Sequence, residues 1–145
     1  MKKINLLILG NSNFVKRRVV SSLNKIKDIN YKICSKSQKN KKIFFNNYTK
    51  ALKSNPDIVY ISLVNHLHYK YAKIALNMGL HVVVDKPITT KLYQVKELIK
   101  IAKKKKLLLS EATLFNYHSV FNKINSLIGG NKNLKFIQSN FTIPQ

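Results

Sequence analysis

Two apolar stretches, IVYISLV (Ile58–Val64) and HVVV (His81–Val84), decide the fold that this sequence predicts. Each is apolar at consecutive positions, which is typical of a parallel strand buried on both faces of a sheet. Between them, His68–Met78 carries apolar side chains at helical spacing, and Gly79 follows as a residue favoured at the end of a helix. A strand, a helix and a second strand in this order predict a βαβ unit with two parallel strands.

The same alternation continues on both sides of this unit. Further strands are predicted at Ile4–Leu9, Tyr31–Cys34 and Leu107–Ser110, further helices at Phe14–Lys25, Tyr48–Ser54, Lys91–Lys104 and Tyr117–Ile128, and a lysine-rich loop at Lys36–Lys42. Thr89 or Thr90 is expected to cap the helix that begins at Lys91. Alternating strands and helices predict an α/β fold with a doubly wound parallel sheet.

The composition predicts one domain in a reducing compartment. The chain has 145 residues, 45% of them hydrophobic, which suffices for one domain with a core but not for two full ones. The longest apolar runs are strand-sized, so no membrane span is expected. The N-terminal apolar run ends at Gly10 and gives no export signal, and the single Cys34 cannot form an internal disulfide. We therefore expect a cytoplasmic protein.

The charge is strongly positive, with 27 lysine and arginine residues against five acidic ones and a formal net charge of +22. One interpretation is an acidic partner, such as nucleic acid or an anionic membrane. The other, which we favour, is that the basic residues are spread over solvated faces. Lysines are scattered along the whole chain, and the densest run, Lys103–Lys106, falls at the end of a predicted helix, where cations are favourable. No basic motif with interleaved aromatic residues is present.

The turn after the first predicted strand is the candidate phosphate site. In a doubly wound sheet, ligands bind beyond the carboxyl ends of the strands. A dinucleotide fingerprint places glycine at its first, third and sixth positions, whereas here these positions hold Gly10, Ser12 and Val15. Ser12, Asn13 and Phe14 still offer donors at the start of a helix. This turn alone leaves two interpretations open, phosphate binding and a simple end of a strand.

The end of the second predicted strand bears on the choice of cofactor. Sites that prefer NAD usually place an acid here to bind the ribose hydroxyls. This chain places Ser35, Lys36 and Ser37 at that point, and a hydroxyl with a lysine suits a 2′-phosphate. The alternative is that Lys36 is one lysine among many. The pattern favours NADP slightly over NAD.

The tripeptide Asp85-Lys86-Pro87 stands where the strand His81–Val84 leaves the predicted core. Pro87 disfavours helical geometry at Lys86, so the chain stays extended at this edge. A lysine partly removed from water can serve in acid–base chemistry. Asp85 would orient the turn by anchoring a neighbouring backbone group. The alternative is an ordinary surface turn.

Two segments together resemble a known family. Asp57–His68 (DIVYISLVNHLH) is followed by Ala75–Pro87 (ALNMGLHVVVDKP), and in this order they are similar to the Gfo/Idh/MocA oxidoreductases, which include glucose-fructose oxidoreductase and inositol dehydrogenase. That family shows a strand ending in a Thr-Pro-Asn-x-x-His-like turn, then Ala-Leu-x-x-Gly-Lys-His-Val and Glu-Lys-Pro. The resemblance extends over the whole chain, through Ser110–Ala112 and Tyr117-His118 to Lys135–Pro144.

The resemblance implies a Rossmann domain that binds NAD(P), followed by an α/β substrate domain. It implies an NAD(P)-dependent oxidoreductase that transfers hydride between nicotinamide and a sugar, cyclitol or similar polyol or ketone, with Lys86 as the acid–base group. Asn65 and His68 would line the cofactor side, and Glu111 would lie near the nicotinamide ribose. The residues assigned to the cofactor are Gly10, Ser12, Asn13, Phe14, Ser35, Lys36, Leu63, Asn65, His68, Asp85, Lys86, Pro87 and Glu111.

The chain also departs from the family pattern. Its first turn lacks two of the three glycines, the family's Glu-Lys-Pro is Asp-Lys-Pro, and Asn116 stands where many relatives have arginine. The largest departure is length. Residues 1–130 are predicted to form the dinucleotide-binding domain, and residues 131–145, with a strand at Leu134–Thr142, the start of an otherwise absent substrate domain. A shortened gene, a piece cut from a longer protein and a partner that supplies the missing sheet all remain open.

Two hypotheses of different kinds follow. The first is an enzyme that is complete only with a second domain, and the second is a truncated nucleotide-binding module without turnover, which needs a partner or is inactive. A second copy or another chain would then supply the missing sheet. The four histidines and one cysteine are dispersed, so no metal site is expected. Cys34 is interpreted as a small apolar filler.

Overall fold

The strands form a parallel sheet with the order of a doubly wound fold. In the computed structural model, which describes residues 3–36 and 43–129 together with 135, 136, 138 and 140, six strands lie in the order β3-β2-β1-β4-β5-β6. They are β1 (Ile4–Leu9), β2 (Ile29–Cys34), β3 (Ile43–Phe45), β4 (Ile58–Ile61), β5 (His81–Val84) and β6 (Leu109–Glu111). Every neighbouring pair is parallel, so the predicted doubly wound parallel α/β sheet is confirmed.

Helices connect these strands. A π-helical segment, Val15–Val19, continues directly into α1 (Val20–Leu23) and is followed by α2 (Tyr48–Leu52), α3 (Asn65–Asn77), α4 (Leu92–Lys105), a 3₁₀ turn (Leu114–Tyr117) and α5 (Ser119–Ile128). The end of α3 is followed by Gly79 at φ +83°, as the sequence predicts for a glycine that ends a helix. The last turn of α4 carries three lysines, where they offset the negative end of the helix dipole.

The core lies on both faces of the sheet, which explains why the central strands are apolar at successive positions. Successive residues of a strand point to opposite faces. Leu7 and Leu9 belong to a large cluster with side chains of α2, α3 and α4. Ile8, between them, belongs to a second cluster with Val15 and Leu23 of the first helical region. A one-residue shift of register would therefore exchange the contents of the two cores.

Several predicted element boundaries are wrong. Helix α3 begins at Asn65, three residues earlier than expected, and β4 ends at Ile61 because the chain leaves the sheet at Ser62. The N-cap of α4 is Lys91, which makes no side-chain cap, rather than Thr89 or Thr90. The Thr89 hydroxyl is instead buried and bonds within the turn, donating to the carbonyl of Lys91 (2.9 Å) and accepting from its N–H (3.2 Å).

Three smaller differences also emerge from the structure. The edge strand β3 was not expected, because three apolar residues after a lysine-rich stretch carry no periodicity. The strand expected at Leu107–Ser110 lies at Leu109–Glu111, and the helix expected from Tyr117 begins at Ser119 after the 3₁₀ turn.

The chain divides into two compact units, Met1–Ala112 and Thr113–Gln145. Within the second unit, the rings of Phe115 and Phe121 pack with their centroids 5.5 Å apart. The strand expected at Leu134–Thr142 lies mostly outside the described residues, so it stays a prediction, as does the domain boundary expected after residue 130. Among the described residues, no helix combines the length and apolar character that crossing a membrane requires.

Candidate functional site

A cleft of about 360 Å³ opens at the carboxyl edge of the sheet. It lies where β1 and β4 are neighbours, which is the point at which the strand order reverses. Doubly wound sheets bind their ligands at this position, and the volume is in the range of small-molecule sites. The structure brings five of the predicted site residues together along its wall: Gly10, Ser12, Ser35, Leu63 and Asp85.

Gly10 lets the ends of β1 and β4 come together beside this cleft. Its backbone has φ +110°, and a side-chain carbon built on it would lie 2.8 Å from the carbonyl carbon of Ser62 and closer still to the carbonyl oxygen. Only glycine fits at this distance. The N–H of Gly10 donates to the carbonyl of Cys34 on β2, and the N–H of Ser62 donates to the carbonyl of Leu9, both at 2.8 Å. The ends of β1, β2 and β4 are therefore fixed to one another at the floor of the cleft.

The rest of the first turn suits an anion. The hydroxyl of Ser12 accepts from the N–H of Val15 (3.2 Å), and the Ser12 carbonyl accepts from Lys16 (3.0 Å), so Ser12 starts the helix as a cap. Asn13 and Phe14 are exposed at this start, where backbone N–H groups lack partners within the helix and carry partial positive charge. Val15, in the place of the third glycine, is fully buried in the core. The residues present thus fit a phosphate group approached by backbone donors.

The end of β2 combines a buried hydroxyl with an exposed cation. Ser35 is buried, while Lys36 is exposed and its Nζ lies 5.3 Å from the ring centroid of Tyr48, a cation–π distance. Burial raises the pKa of the Tyr48 hydroxyl. Burial also raises the pKa of the Cys34 thiol to about 11, an effect only partly offset by the charge of Lys36. A thiol that stays protonated at neutral pH agrees with the interpretation of Cys34 as a filler.

The turn after β5 is held by side chains from three other elements. The Ser62 hydroxyl donates to Oδ2 of Asp85 at 2.8 Å. Nδ1 of His68 lies 2.8 Å from the carbonyl oxygen of Pro87, and the N–H of Ile88 donates to Oε2 of Glu111 at 2.7 Å. The backbone anchor that was expected of Asp85 is thus supplied by Glu111. Lys86, which precedes a cis peptide bond to Pro87, has an exposed side chain.

The remaining predicted residues take different positions. His68 is fully buried, and its Nε2 lies 2.8 Å from the carbonyl oxygen of Leu63, so His68 stands behind the cleft wall as a support. Glu111 supports the turn in the same way. Asn65 is the first residue of α3 and is exposed, as is the neighbouring His66.

Sequence reasoning missed several residues of this region, among them Tyr48, Tyr60 and Ser62. Burial and the nearby Asp85 carboxylate raise the pKa of Tyr60 well above its usual range. Ser62 carried a usable signal, because it directly follows β4, the strand that neighbours β1 at the switch point. Nothing in the pattern around Tyr48 separates it from a core residue. Within the described part of the chain, no three His, Cys, Asp or Glu residues are grouped to hold a metal ion.

Sequence comparison identifies the class of protein that this fold and cleft define. A family model for the Gfo/Idh/MocA proteins, described as "Oxidoreductase family, NAD-binding Rossmann fold", matches residues 7–113. Because this match covers most of the chain, the chain belongs to the Gfo/Idh/MocA oxidoreductase family, as its motifs predict. The predicted Rossmann fold and the predicted nicotinamide dinucleotide cofactor agree with the description of this family as NAD-binding.

Two of the curated relatives are named for sugar substrates, and both are much longer than this chain. The chain is 33% identical over 90 residues to dTDP-3,4-didehydro-2,6-dideoxy-alpha-D-glucose 3-reductase of Streptomyces violaceoruber, covering 61% of this chain and 26% of that protein. It is 36% identical over 74 residues to D-xylose 1-dehydrogenase (NADP(+)) of Hypocrea jecorina, covering 51% of this chain and 19% of that protein. The chain therefore spans about a quarter or less of the length of these relatives.

Solved structures share the fold. D-galactose-1-dehydrogenase from Rhizobium etli superposes with a TM-score of 0.81 at 22% identity, covering 89% of this chain and 43% of that one. A 3-ketoreductase from Actinomadura kijaniata, solved in complex with TDP-benzene and NADP, gives a TM-score of 0.79 at 24% identity, covering 88% of this chain and 44% of that one. At these identities the likeness shows the fold alone.

Proposed function

We propose that this chain forms the dinucleotide-binding part of an NAD(P)-dependent oxidoreductase acting on a sugar, cyclitol or similar polyol or ketone. The observation that carries the proposal is the cleft at the switch point, where Gly10 lets the chain after β1 approach the Ser62 carbonyl closely and the turn with Lys86 begins at Asp85 on the same wall. The substrate class is supported by the names of the relatives, a dTDP-sugar reductase and a xylose dehydrogenase.

The residues around the cleft have distinct roles toward the cofactor. The backbone donors of the turn Gly10–Phe14 would hold a phosphate, and Lys36 with Ser35 would meet a 2′-phosphate, which favours NADP over NAD. Leu63 supplies an apolar part of the wall. When bound, the nicotinamide ring supplies the redox chemistry by accepting or donating a hydride. The contribution of this chain is to bind and orient that ring.

Lys86 is proposed as the acid–base group. During reduction, its ammonium would hydrogen-bond to the reacting carbonyl oxygen of the substrate and give it a proton. During oxidation, its neutral amine would take the proton that the substrate hydroxyl loses as hydride leaves for the nicotinamide ring. The two residues beside it, Asp85 and Pro87, are fixed by Ser62 and His68, so its backbone is already placed. The side chain itself is exposed within this unit, so the water around it has to be excluded by a further layer of protein.

That exposure also favours the second candidate, a nucleotide-binding module without turnover. Under this alternative the chain binds the dinucleotide, and a second copy or another chain supplies the missing sheet. Helix α5 would be part of such a contact, because Val120, Ile124 and Leu127 on it are exposed apolar residues. Size-exclusion chromatography over a range of concentrations tests for self-association.

A cytoplasmic location is part of the proposed function under either candidate and would be tested by fractionating cells.

The proposal is tested by titrating the purified chain with NADPH and with NADH at about physiological salt, where non-specific attraction to the positive chain is screened. We expect saturable binding that is tighter for NADPH. Lys36→Ala should weaken NADPH binding about tenfold and leave NADH nearly unchanged, because one charge-assisted contact is removed. Lys32→Ala is the matched control, because Lys32 is an exposed lysine on β2, the strand that precedes Lys36. Failure of the folded chain to bind either nucleotide would refute the proposal.

A further inference from the structure

His68 has two hydrogen-bond acceptors and no exposed surface. Its Nδ1 and Nε2 each lie 2.8 Å from a backbone carbonyl oxygen, that of Pro87 and that of Leu63. A carbonyl oxygen can only accept, so each contact is a hydrogen bond only if the nitrogen facing it carries a proton. Neutral imidazole carries one such proton, whereas imidazolium carries two. Both contacts are therefore satisfied together only by the charged ring.

Two other histidines of the described chain show the opposite arrangement. Nδ1 of His81 accepts from the N–H of Leu108 at 2.9 Å, and Nδ1 of His118 accepts from the N–H of Val120 at 3.2 Å. An amide N–H can only donate, so each of these nitrogens is unprotonated. His81 and His118 thus provide unprotonated ring nitrogens with which the nitrogens of His68 can be compared.

A single peptide unit joins His68 to an acid. The carbonyl that faces His68 belongs to Pro87, and the N–H of the same peptide, on Ile88, donates to the carboxylate of Glu111 at 2.7 Å. A carboxylate at the N–H end polarises the peptide and makes its carbonyl a stronger acceptor. An imidazolium at the carbonyl end then completes a charge-assisted chain, cation to peptide to anion. This arrangement offsets part of the cost of burying the charge.

We propose that His68 is held as an imidazolium and acts as a positioning residue, tying the cleft wall at Leu63 to the turn that carries Lys86. Titratable neighbours are Asp85 and Lys86 on the turn, Glu111 at the end of β6, and Tyr71, one turn along on α3. The link from Leu63 to Pro87 is made by one side chain, so His68 fixes the position of the turn that carries Lys86 relative to the cleft wall. The purpose assigned to this link rests on the proposed function, but the state of the ring does not.

The state of the ring is measured on the unaltered full chain, labelled with ¹⁵N, from long-range proton–nitrogen correlations of its histidine rings at neutral pH. Single His66→Gln, His81→Gln and His118→Gln variants identify the other three of the four histidines. We expect both nitrogens of His68 to be protonated, and Nδ1 of His81 and His118 to be unprotonated. A neutral His68 ring, with one unprotonated nitrogen, would overturn the proposal.

Two variants test the positioning role. Glu111→Gln keeps an acceptor for Ile88 but removes the charge, so the His68 ring should shift toward its neutral form. His68→Asn should speed hydrogen exchange of the Ile88 amide about tenfold, because one support of its peptide is lost, while His66→Asn on the exposed start of α3 should not. An unchanged ring in Glu111→Gln, or equal exchange rates in the two asparagine variants, would contradict the positioning role. A charged His68 ring in a chain that neither binds the dinucleotide nor turns over would support the proposed state of His68 and refute the proposed function.

Discussion

The turn after β1 and the turn after β5 lie on the same cleft but are built in opposite ways. The first, Gly10–Phe14, is defined by a missing side chain, since its glycine is pressed against the carbonyl of Ser62. The second, Asp85–Ile88, is defined by side chains that reach it from the residue after β4, from α3 and from β6. Ser62 takes part in both, through its backbone in the first and its hydroxyl in the second. A turn shaped by its backbone tolerates substitution of its other side chains, whereas a turn held by hydrogen bonds from side chains does not tolerate the loss of those side chains.

This difference explains why a fingerprint with one glycine out of three is compatible with the fold. Only Gly10 is required by a contact. Ser12 uses its hydroxyl to cap the helix, and Val15 fills space in the core that a glycine would leave empty. The positions that differ from the fingerprint have therefore acquired structural roles of their own.

The largest effect is expected from Gly10→Ala, which breaks the first turn. The added carbon meets the Ser62 carbonyl, so β1 and β4 must separate, and we expect the free energy of unfolding to fall by about 4 kcal/mol or more. Gly79→Ala is the matched control, since Gly79 also has positive φ but faces open space, and its cost should be only about 1–2 kcal/mol. Urea denaturation measures both. Equal losses would show that backbone conformation, and not the close approach, makes glycine necessary at position 10.

Next in size is the effect of Lys86→Ala in a form of the protein that turns over. Loss of an acid–base group should lower kcat by a factor of about 10²–10⁴. NADPH affinity should hardly change, because the first turn and its phosphate donors are untouched. Lys96→Ala, an exposed lysine on α4, should leave both quantities as they are. Unchanged kcat in Lys86→Ala would remove this lysine from the mechanism.

A smaller effect is expected from Ser62→Ala, which affects the second turn and leaves the backbone contact of the first turn in place. The variant keeps the backbone that faces Gly10 but removes the hydroxyl that donates to Asp85, so the free energy of unfolding should fall by about 1–2 kcal/mol. Ser126→Ala, whose exposed hydroxyl bonds only to a nearby carbonyl, should change it by less than about 0.5 kcal/mol. A loss as large as that of Gly10→Ala would mean that the two turns are not independent.

The smallest effect is expected at Glu97, which touches neither turn. Hydrogen bonds from Lys73, at 2.7 Å, and from Tyr69 hold the pKa of this exposed carboxyl below its ordinary value of 4.5. A carboxyl with a lowered folded-state pKa stabilises the fold above its unfolded pKa, and this stabilisation is lost as the pH falls. The small difference in unfolding free energy between the chain and Glu97→Gln should therefore shrink below about pH 4.5. A difference that grows on acidification would contradict this assignment; Lys73→Met in a double-mutant cycle isolates the pair.

Local pattern was enough for the elements and for the edge of the sheet where the site lies. The bounds of β1 and β5 were predicted to the residue, because a strand buried on both faces shows a largely apolar run with a polar or glycine residue after it. Gly10, Ser35 and Asp85 were predicted for the cleft because each follows such a run. Helix starts were less accurate, since α3 begins three residues before the predicted His68 and the N-cap of α4 is Lys91, which makes no side-chain cap.

What the sequence by itself determined is thus the order of strands and helices, the family, and the chemical character of the residues at each strand end. Tertiary structure alone decided which of these residues meet. Ser62 reaches Asp85 across 23 residues, His68 reaches Pro87 across 19, and the peptide of Ile88 reaches Glu111 across 23. Periodicity encodes the neighbours within one helix or strand, whereas contacts between turns depend on strand order and on the face from which each helix returns. The supports of the Lys86 turn become visible only once the sheet is assembled.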